Sequence, residues 1–213
     1  MGDGDFRSPE CIEILKECDI VCTNPPFSLF REFVDTIMSY NKLCLIIGNQ
    51  NAFVCKEIFP LMMNNKLCTG YNMVKEFNQP DGSIKKFGNI CWFTNMKVNK
   101  CIEKLVLTKT YNPIDYPKYD NYDAIEVGRV ANIPKDYDGV MGVPITFLFK
   151  YNPEQFEIIG GFKGFKECDL ENGFICGEMT EYIDSKTHAI KRWNGPTINK
   201  KAKYTRILIR RKN

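Results

Sequence analysis

The amino-acid sequence predicts an α/β fold whose second half is mostly β. Two observations carry the α/β half. The short apolar runs DIVCT (19–23) and KLCLIIG (42–48) read as strands, and the stretch between them repeats apolar residues with a helical period. A third observation carries the change of character: beyond the middle of the chain strand-like runs continue while helical signal becomes sparse. Strand, helix, strand and a further helical stretch in close succession imply right-handed crossover units of a parallel sheet. With 213 residues, 44% apolar and 26% charged, and a net charge of +3, the chain holds one ordinary globular domain, or one domain with an appendage. That composition excludes disorder, collagen and a coiled coil. No apolar run approaches the ~18 residues that span a bilayer, and MGDGDFRSPE lacks signal-peptide character. A soluble cytoplasmic protein with no membrane partner is expected.

The elements follow in order. Residues 9–18 (PECIEILKEC) form a short helix with Ser8 as N-cap and Pro9 in the first turn. DIVCT is a buried strand that ends at a double proline. SLFREFVDTIMSY (28–40) is a helix behind the N-cap candidate Ser28, and KLCLIIG is the next buried strand. NAFVCKEIFPLMMNN is a further helix, kinked or ended near Pro60. YNMVKEFNQPDGSIKKFGNICWFTNM alternates on either side of QPDGS, a hairpin turn signal, so antiparallel strands follow the parallel ones. The segment 112–123 (NPIDYPKYDNYD) is rich in Pro, Asp and Tyr and has no period, which divides the chain into 1–111 and 112–213. Beyond it GVPITFLFKY, QFEIIGGFKGF and KYTRILIRR read as strands. Gly160-Gly161-x-x-Gly164 reads as a strand bend.

Of the ten cysteines, Cys18, Cys22, Cys44, Cys91 and Cys176 sit in apolar runs at irregular spacings and read as small core hydrophobes in a reducing compartment. No CxxC pair occurs, and His188, the single histidine, has no cysteine at ligand spacing, so no metal is expected. The same solitary histidine argues against Ser/His/Asp or Cys/His catalysis. Residues 191–213 carry nine basic side chains and no acid, leaving the first 190 residues net acidic. From charge alone this basic end reads equally as a footprint for a phosphate backbone or as a solvated tail.

The most informative word is Thr23-Asn24-Pro25-Pro26-Phe27-Ser28, at the C-terminal end of a strand and opening a helix. Open α/β sheets bind ligands at that edge. Asn24 offers a side-chain carbonyl and Pro25 a main-chain carbonyl, on a backbone whose φ angles two consecutive rings hold fixed. Two such acceptors take both hydrogens of a planar exocyclic amine and draw electron density onto its nitrogen, making it a nucleophile toward an electrophilic methyl donor. Phe27 adds a flat face on which a heterocycle stacks.

D-x-x-x-x-N-P-P-F resembles the catalytic motif of amino-group methyltransferases that use S-adenosylmethionine. Asp5-Phe6, nineteen residues before Asn24, looks like their upstream acidic motif that touches the cofactor's adenine. DGDFRSPE, TNPPFSLFREFV, LIIGNQNAF, KFGNICWFTN, YPKYDNYDAI, DYDGVMGVPITFL and KYNPEQFEIIG look like the EcoRI-type adenine-specific DNA methyltransferases in order and spacing. The resemblance implies a partial Rossmann-like S-adenosylmethionine-dependent methyltransferase sheet over 1–111, with a mostly β target-recognition region over 112–213. It also implies double-stranded DNA as partner and a restriction-modification setting. The target adenine is flipped out of the duplex, held by Asn24 and Pro25, and stacked on Phe27, with Pro26 stiffening the loop. The resemblance offers Trp92 or Phe93 to cover the other face of the base, with plain packing as the equal alternative, and alternation puts one of the two in the core. Phe33 is expected in the core. Lys200, Lys201, Lys203, Arg206, Arg210 and Arg211 are expected on the DNA backbone, in a final strand with one buried and one basic side.

The family carries, before its Asn motif, a strand with a glycine-rich turn for the methionine part of the cofactor and an acid for its ribose. Neither is found here, so the resemblance implies an N-terminally truncated methyltransferase. Such a chain leaves a sheet edge exposed, open to the missing segment or to self-association. Two other readings stand beside it: methylation of an amino group in RNA or protein, and a catalytically inactive DNA-binding remnant.

Overall fold

The computed structural model describes residues 4–98, 103–164 and 168–212. The chain forms two compact units, Met1–Lys100 and Cys101–Asn213. Residues 101–111 therefore group with the second unit.

In the first unit, α1 (Pro9–Glu17) starts as its sequence predicts: Ser8 Oγ accepts from the Cys11 amide at 3.3 Å, and Pro9 sits where no amide partner is needed. It leads into β1 (Ile20–Thr23). Helix α2 (Phe30–Ser39) buries Phe30, Val34 and Ile37, an i, i+4, i+7 stripe, and returns the chain to β2 (Leu43–Asn49). Strands β1 and β2 pair in parallel, with Thr23 opposite Ile46. Helix α3 (Phe59–Met63) precedes the long strands β3 (Cys68–Asn78) and β4 (Ile84–Thr94). These form the expected hairpin, with Gly82 at φ +80° in the QPDGS turn, a conformation that favours glycine. The sheet order is β1-β2-β4-β3, and β4 runs antiparallel to β2. Phe93, Phe53, Ile46 and Phe30 make a closely packed core on the face that α2 covers.

Several expectations are corrected here. Ser28 does not cap α2. Phe27–Leu29 forms one tight turn in which the Leu29 amide reaches the Pro26 carbonyl at 3.0 Å, and the helix begins only at Phe30. Strand β1 is an edge strand, not a buried one: its outer side is unpaired and Ile20 is 50% exposed. The single helix expected over 51–65 is two short pieces, a turn at Gln50–Val54 and α3, because Pro60 opens the second piece where its missing amide costs nothing. Cys44 and Cys91 are buried, but Cys18 is half-buried and Cys22 exposed beside the open edge. Cys176 is not a core thiol, being joined to Cys168 as a disulfide.

The second unit is built on a five-stranded sheet ordered β5 (Ile125–Glu126), β6 (Met141–Pro144), β13 (Arg206–Arg211), β7 (Phe156–Phe162), β8 (Phe174–Ile175). The strand expected over GVPITFLFKY stops at Pro144, and Ile145–Phe149 is helical, with Phe147 and Leu148 buried. Two ribbons complete the unit: β9 (Thr180–Ile183) with β10 (Ile190–Trp193), and β11 (Thr197–Ile198) with β12 (Lys201–Ala202). The expected two-sided character of the last strand is also corrected. Strand β13 is central, antiparallel to both neighbours, and Ile207, Leu208 and Ile209 are all fully buried. No helix among the described residues is long and apolar enough to cross a membrane.

Candidate active site

The TNPPF loop leaves the C-terminal end of β1 and is held at three points. Thr23 is still in the ladder, opposite Ile46. Pro25 is buried. Beyond the loop, the Phe30 ring lies 4.9 Å from the Phe93 ring, and Gly48 makes that approach possible, since a Cβ there would fall 2.4 Å from Phe30. Between these anchors Asn24, Pro26 and Phe27 are exposed. Neither the Asn24 side chain nor the Pro25 carbonyl is taken up by a hydrogen bond to another described residue. Two acceptors on a stiff backbone, unspent and at the sheet's C-terminal edge, make a cradle for an amino group, with the Phe27 ring beside it.

Asp5 and Phe6 are brought to the same end of the unit. Arg7 grips Asp5 through its guanidinium, at 2.6 Å, and through its backbone amide, at 2.9 Å, then reaches Glu32 at 3.1 Å. Phe6 meets Phe33 edge-on at 5.1 Å. Glu32 belongs to the first turn of α2, which begins where the TNPPF loop ends. The Arg7 hydrogen bonds hold the Asp5 carboxyl down at about 2, so it is an anion throughout the physiological range. Arg7 and Glu32 were not singled out in the sequence. The Asp-x-Arg spacing next to the capped start of α1 was the available signal. Phe33 is half-buried against Phe6, at the rim of the core rather than inside it.

Phe93 is the core member of the Trp92 and Phe93 pair, fully buried between Phe30 and Phe53. Trp92 is half-buried on the opposite face, against Gly70 of β3. It pairs with Ile47, one residue beyond the Thr23–Ile46–Phe93 row, which puts it level with Asn24 in the register.

The six basic residues expected on DNA divide. Lys200, Lys201 and Lys203 are exposed and form no ion pair with another described residue. Arg206 is only 13% exposed and closes on Glu126 at 2.6 Å, with the Tyr119 hydroxyl donating to the same carboxylate. This pairing leaves the Arg206 guanidinium little surface to offer a phosphate. Arg210 faces Glu157 at 3.8 Å, and Arg211 faces Asp138 at 2.8 Å.

With this loop in place, comparison with known proteins decides the family. The family model for the adenine-specific methyltransferase EcoRI matches residues 1–212. The chain belongs to the EcoRI adenine-specific methyltransferase family. It is 46% identical to the Type II methyltransferase M.EcoRI of Escherichia coli over 87% of this chain and 63% of that protein. It is 36% identical both to M.MgeORF184P of Mycoplasma genitalium and to M.MpnI of Mycoplasma pneumoniae, over 99% of this chain and 70% of each. The chain thus spans under two thirds of the length of M.EcoRI. No solved structure gives a significant match.

A methyltransferase of this family needs a methyl donor, and the first unit brings one anionic carboxylate, Asp5, next to one aromatic ring, Phe6. The Arg7 guanidinium that pairs with Asp5 also lies over the Phe6 ring, 5.5 Å from its centre, so carboxylate, guanidinium and ring form one cluster. Among the described residues no glycine-rich turn follows a strand end of the first unit to hold the rest of the donor.

Proposed function

We propose that this chain forms the catalytic loop and target-recognition portion of a site-specific DNA adenine-N6 methyltransferase that uses S-adenosylmethionine. One observation carries the reading: Asn24 and the Pro25 carbonyl stand as unspent acceptors on a proline-stiffened loop at the end of β1. A flipped adenine presents its N6 amino group to them and its ring to Phe27. Accepting both N–H hydrogens concentrates the lone pair on N6, so no histidine or strong base is needed at the nitrogen. When bound, S-adenosylmethionine supplies an electrophilic methyl group. Asp5 and Phe6 hold the donor's adenine end, and the anchored loop keeps the acceptors still while the nitrogen is alkylated. Its level with Asn24, two strands away (about 10 Å at ordinary strand spacing), supports Trp92 over the core residue Phe93 as the aromatic that covers the base.

The same reading assigns residues 112–213 to target recognition of double-stranded DNA, with Lys200, Lys201 and Lys203 on phosphates. Among the described residues the outer side of β1 pairs with no strand, which leaves an edge open to a strand that brings the turn for the rest of the donor. The test is transfer of a tritiated methyl group to unmethylated duplex DNA by the methyltransferase containing this chain, parent against Asn24→Ala. The variant is expected to lose about a hundredfold or more in rate, as when a preorganised polar contact to a reacting group is removed, while still binding DNA. A variant within about threefold of the parent would overturn the assignment.

A further inference from the structure

One face of the β9–β10 ribbon has no partner among the described residues. Register places Ile183 opposite Ile190 and Glu181 opposite Arg192, and all four are exposed, Ile190 by 70%. The other face is occupied: Tyr182 and Trp193 lie ring to ring, and Lys191 pairs with Asp184 at 2.6 Å. Isolated two-stranded ribbons are marginal, and two isoleucines facing water add nothing to this one's folding.

The ribbon is nonetheless held firmly at both ends. At its base the Trp193 ring is packed between Gly164 and Gly195, where a Cβ on either would fall 2.5 Å from it. The Asn121 side-chain amide ties down the adjoining Glu178 and Gly195 carbonyls at 3.1 and 2.9 Å. At its tip Asp184 accepts from the Lys186 and Thr187 amides. On its flank the Ile183 amide donates to the Lys200 carbonyl at 2.9 Å, which sets the exposed Lys200, Lys201 and Lys203 beside the apolar pair.

We propose that the β9–β10 ribbon enters the major groove of duplex DNA and reads bases with Arg192, Glu181, Ile183 and Ile190. The inference rests on the DNA methyltransferase reading above. A two-stranded ribbon, with strands about 4.8 Å apart, fits a groove about 12 Å wide. Its exposed face displays the three kinds of group that major-groove edges discriminate: a guanidinium fork for guanine N7 and O6, a carboxylate for the cytosine amino group, and branched apolar tips for thymine methyls. Arg192 faces Glu181 without closing an ion pair, so both remain available to base edges. The flanking lysines supply charge complementary to the phosphates that border the groove.

The test is selection of bound duplexes from a library with randomised central positions, at low salt, read by sequencing. The parent chain is expected to enrich one motif. Arg192→Gln should reduce the preference for guanine at one or two positions by about 5- to 100-fold, the range for losing a bidentate contact. The double variant Ile183→Ser/Ile190→Ser should lose thymine preference. Total binding to the unselected library should stay within about threefold, because the lysines are untouched. Arg192→Lys guards against a folding artefact: it keeps the charge but not the fork, and should still lose guanine preference. Variants that enrich the parent's motif equally well overturn the ribbon's role and leave the DNA reading standing, as does a parent that binds every duplex alike. A parent that binds no duplex overturns both.

Discussion

Residues of one chemical type in this chain do opposite jobs, and burial tells them apart. Arg206 and Lys203 are close in sequence and both basic, yet one is sealed against Glu126 and the other stands in water. Arg206→Gln would strand a buried carboxylate, a loss of about 3–5 kcal/mol, visible as a lowered urea midpoint with no specific effect on DNA affinity. Replacing Lys200, Lys201 and Lys203 by Gln should leave the urea midpoint unchanged, weaken binding to all duplexes alike, and flatten the dependence of log K on log salt. The cations were legible in the sequence as a cluster. Their division was not, because Glu126 and Tyr119 lie some eighty residues upstream and only the fold brings them to Arg206. The position of Asn24 at the end of β1, by contrast, was legible, since the apolar run before it and the two prolines after it fix where the strand stops. At Asp5 the folded carboxyl is depressed to about 2 from an ordinary value of 3.8. The hold of Arg7 on it is therefore complete above about pH 4 and is lost as pH falls through 2. Following the Asp5 carboxyl carbon by NMR across that range checks the sign, and a midpoint near 4 would show that Arg7 does not grip it in solution.

At the scale of elements, the TNPPF loop depends on a contact it does not make itself. Phe30, the first residue of α2, is wedged over Gly48 of β2 and against Phe93 of β4. Gly48→Ala should push that ring outward at a cost of about 1–3 kcal/mol. Because the ring anchors the loop's far side, the rate should fall more than stability alone accounts for. Comparing methyl transfer with thermal midpoints in the methyltransferase containing this chain separates the two. A rate unchanged at temperatures well below the midpoint would release the loop from this dependence. The parallel β1–β2 pair, α1 and the β3–β4 hairpin follow from local signals: a Ser-Pro cap, two apolar runs, a PDG turn. The break near Pro60 was legible too, but the helical Ile145–Phe149 was not, since tertiary burial of Phe147 and Leu148 outweighs the periodicity of that segment. An apolar run such as DIVCT reads as buried whether or not a neighbouring strand is there to bury it, which is why the exposure of β1 escaped the sequence.

For the molecule as a whole, the open side of β1 and the apolar cleft of about 290 Å3 flanked by Ile14, Ile20 and Phe33 are unmatched surfaces. The 213-residue chain alone is expected to bind S-adenosylmethionine poorly and to self-associate through that edge. A polypeptide that pairs with β1 and carries a glycine-rich turn should restore donor binding. Sedimentation and calorimetric titration test both statements, and a monomer that binds the donor tightly would contradict them. The second unit carries a different constraint. Its middle strand, β13, is the last of its sheet to be synthesised, after both β6 and β7, between which it lies. On the ribosome those two strands emerge with a vacant lane between them, so the sheet closes only once residues 206–211 clear the exit tunnel. Folding of this unit is thereby bound to the emergence of residues 206–211, and a nascent chain stalled before Arg206 would expose two strand edges for chaperones to cover.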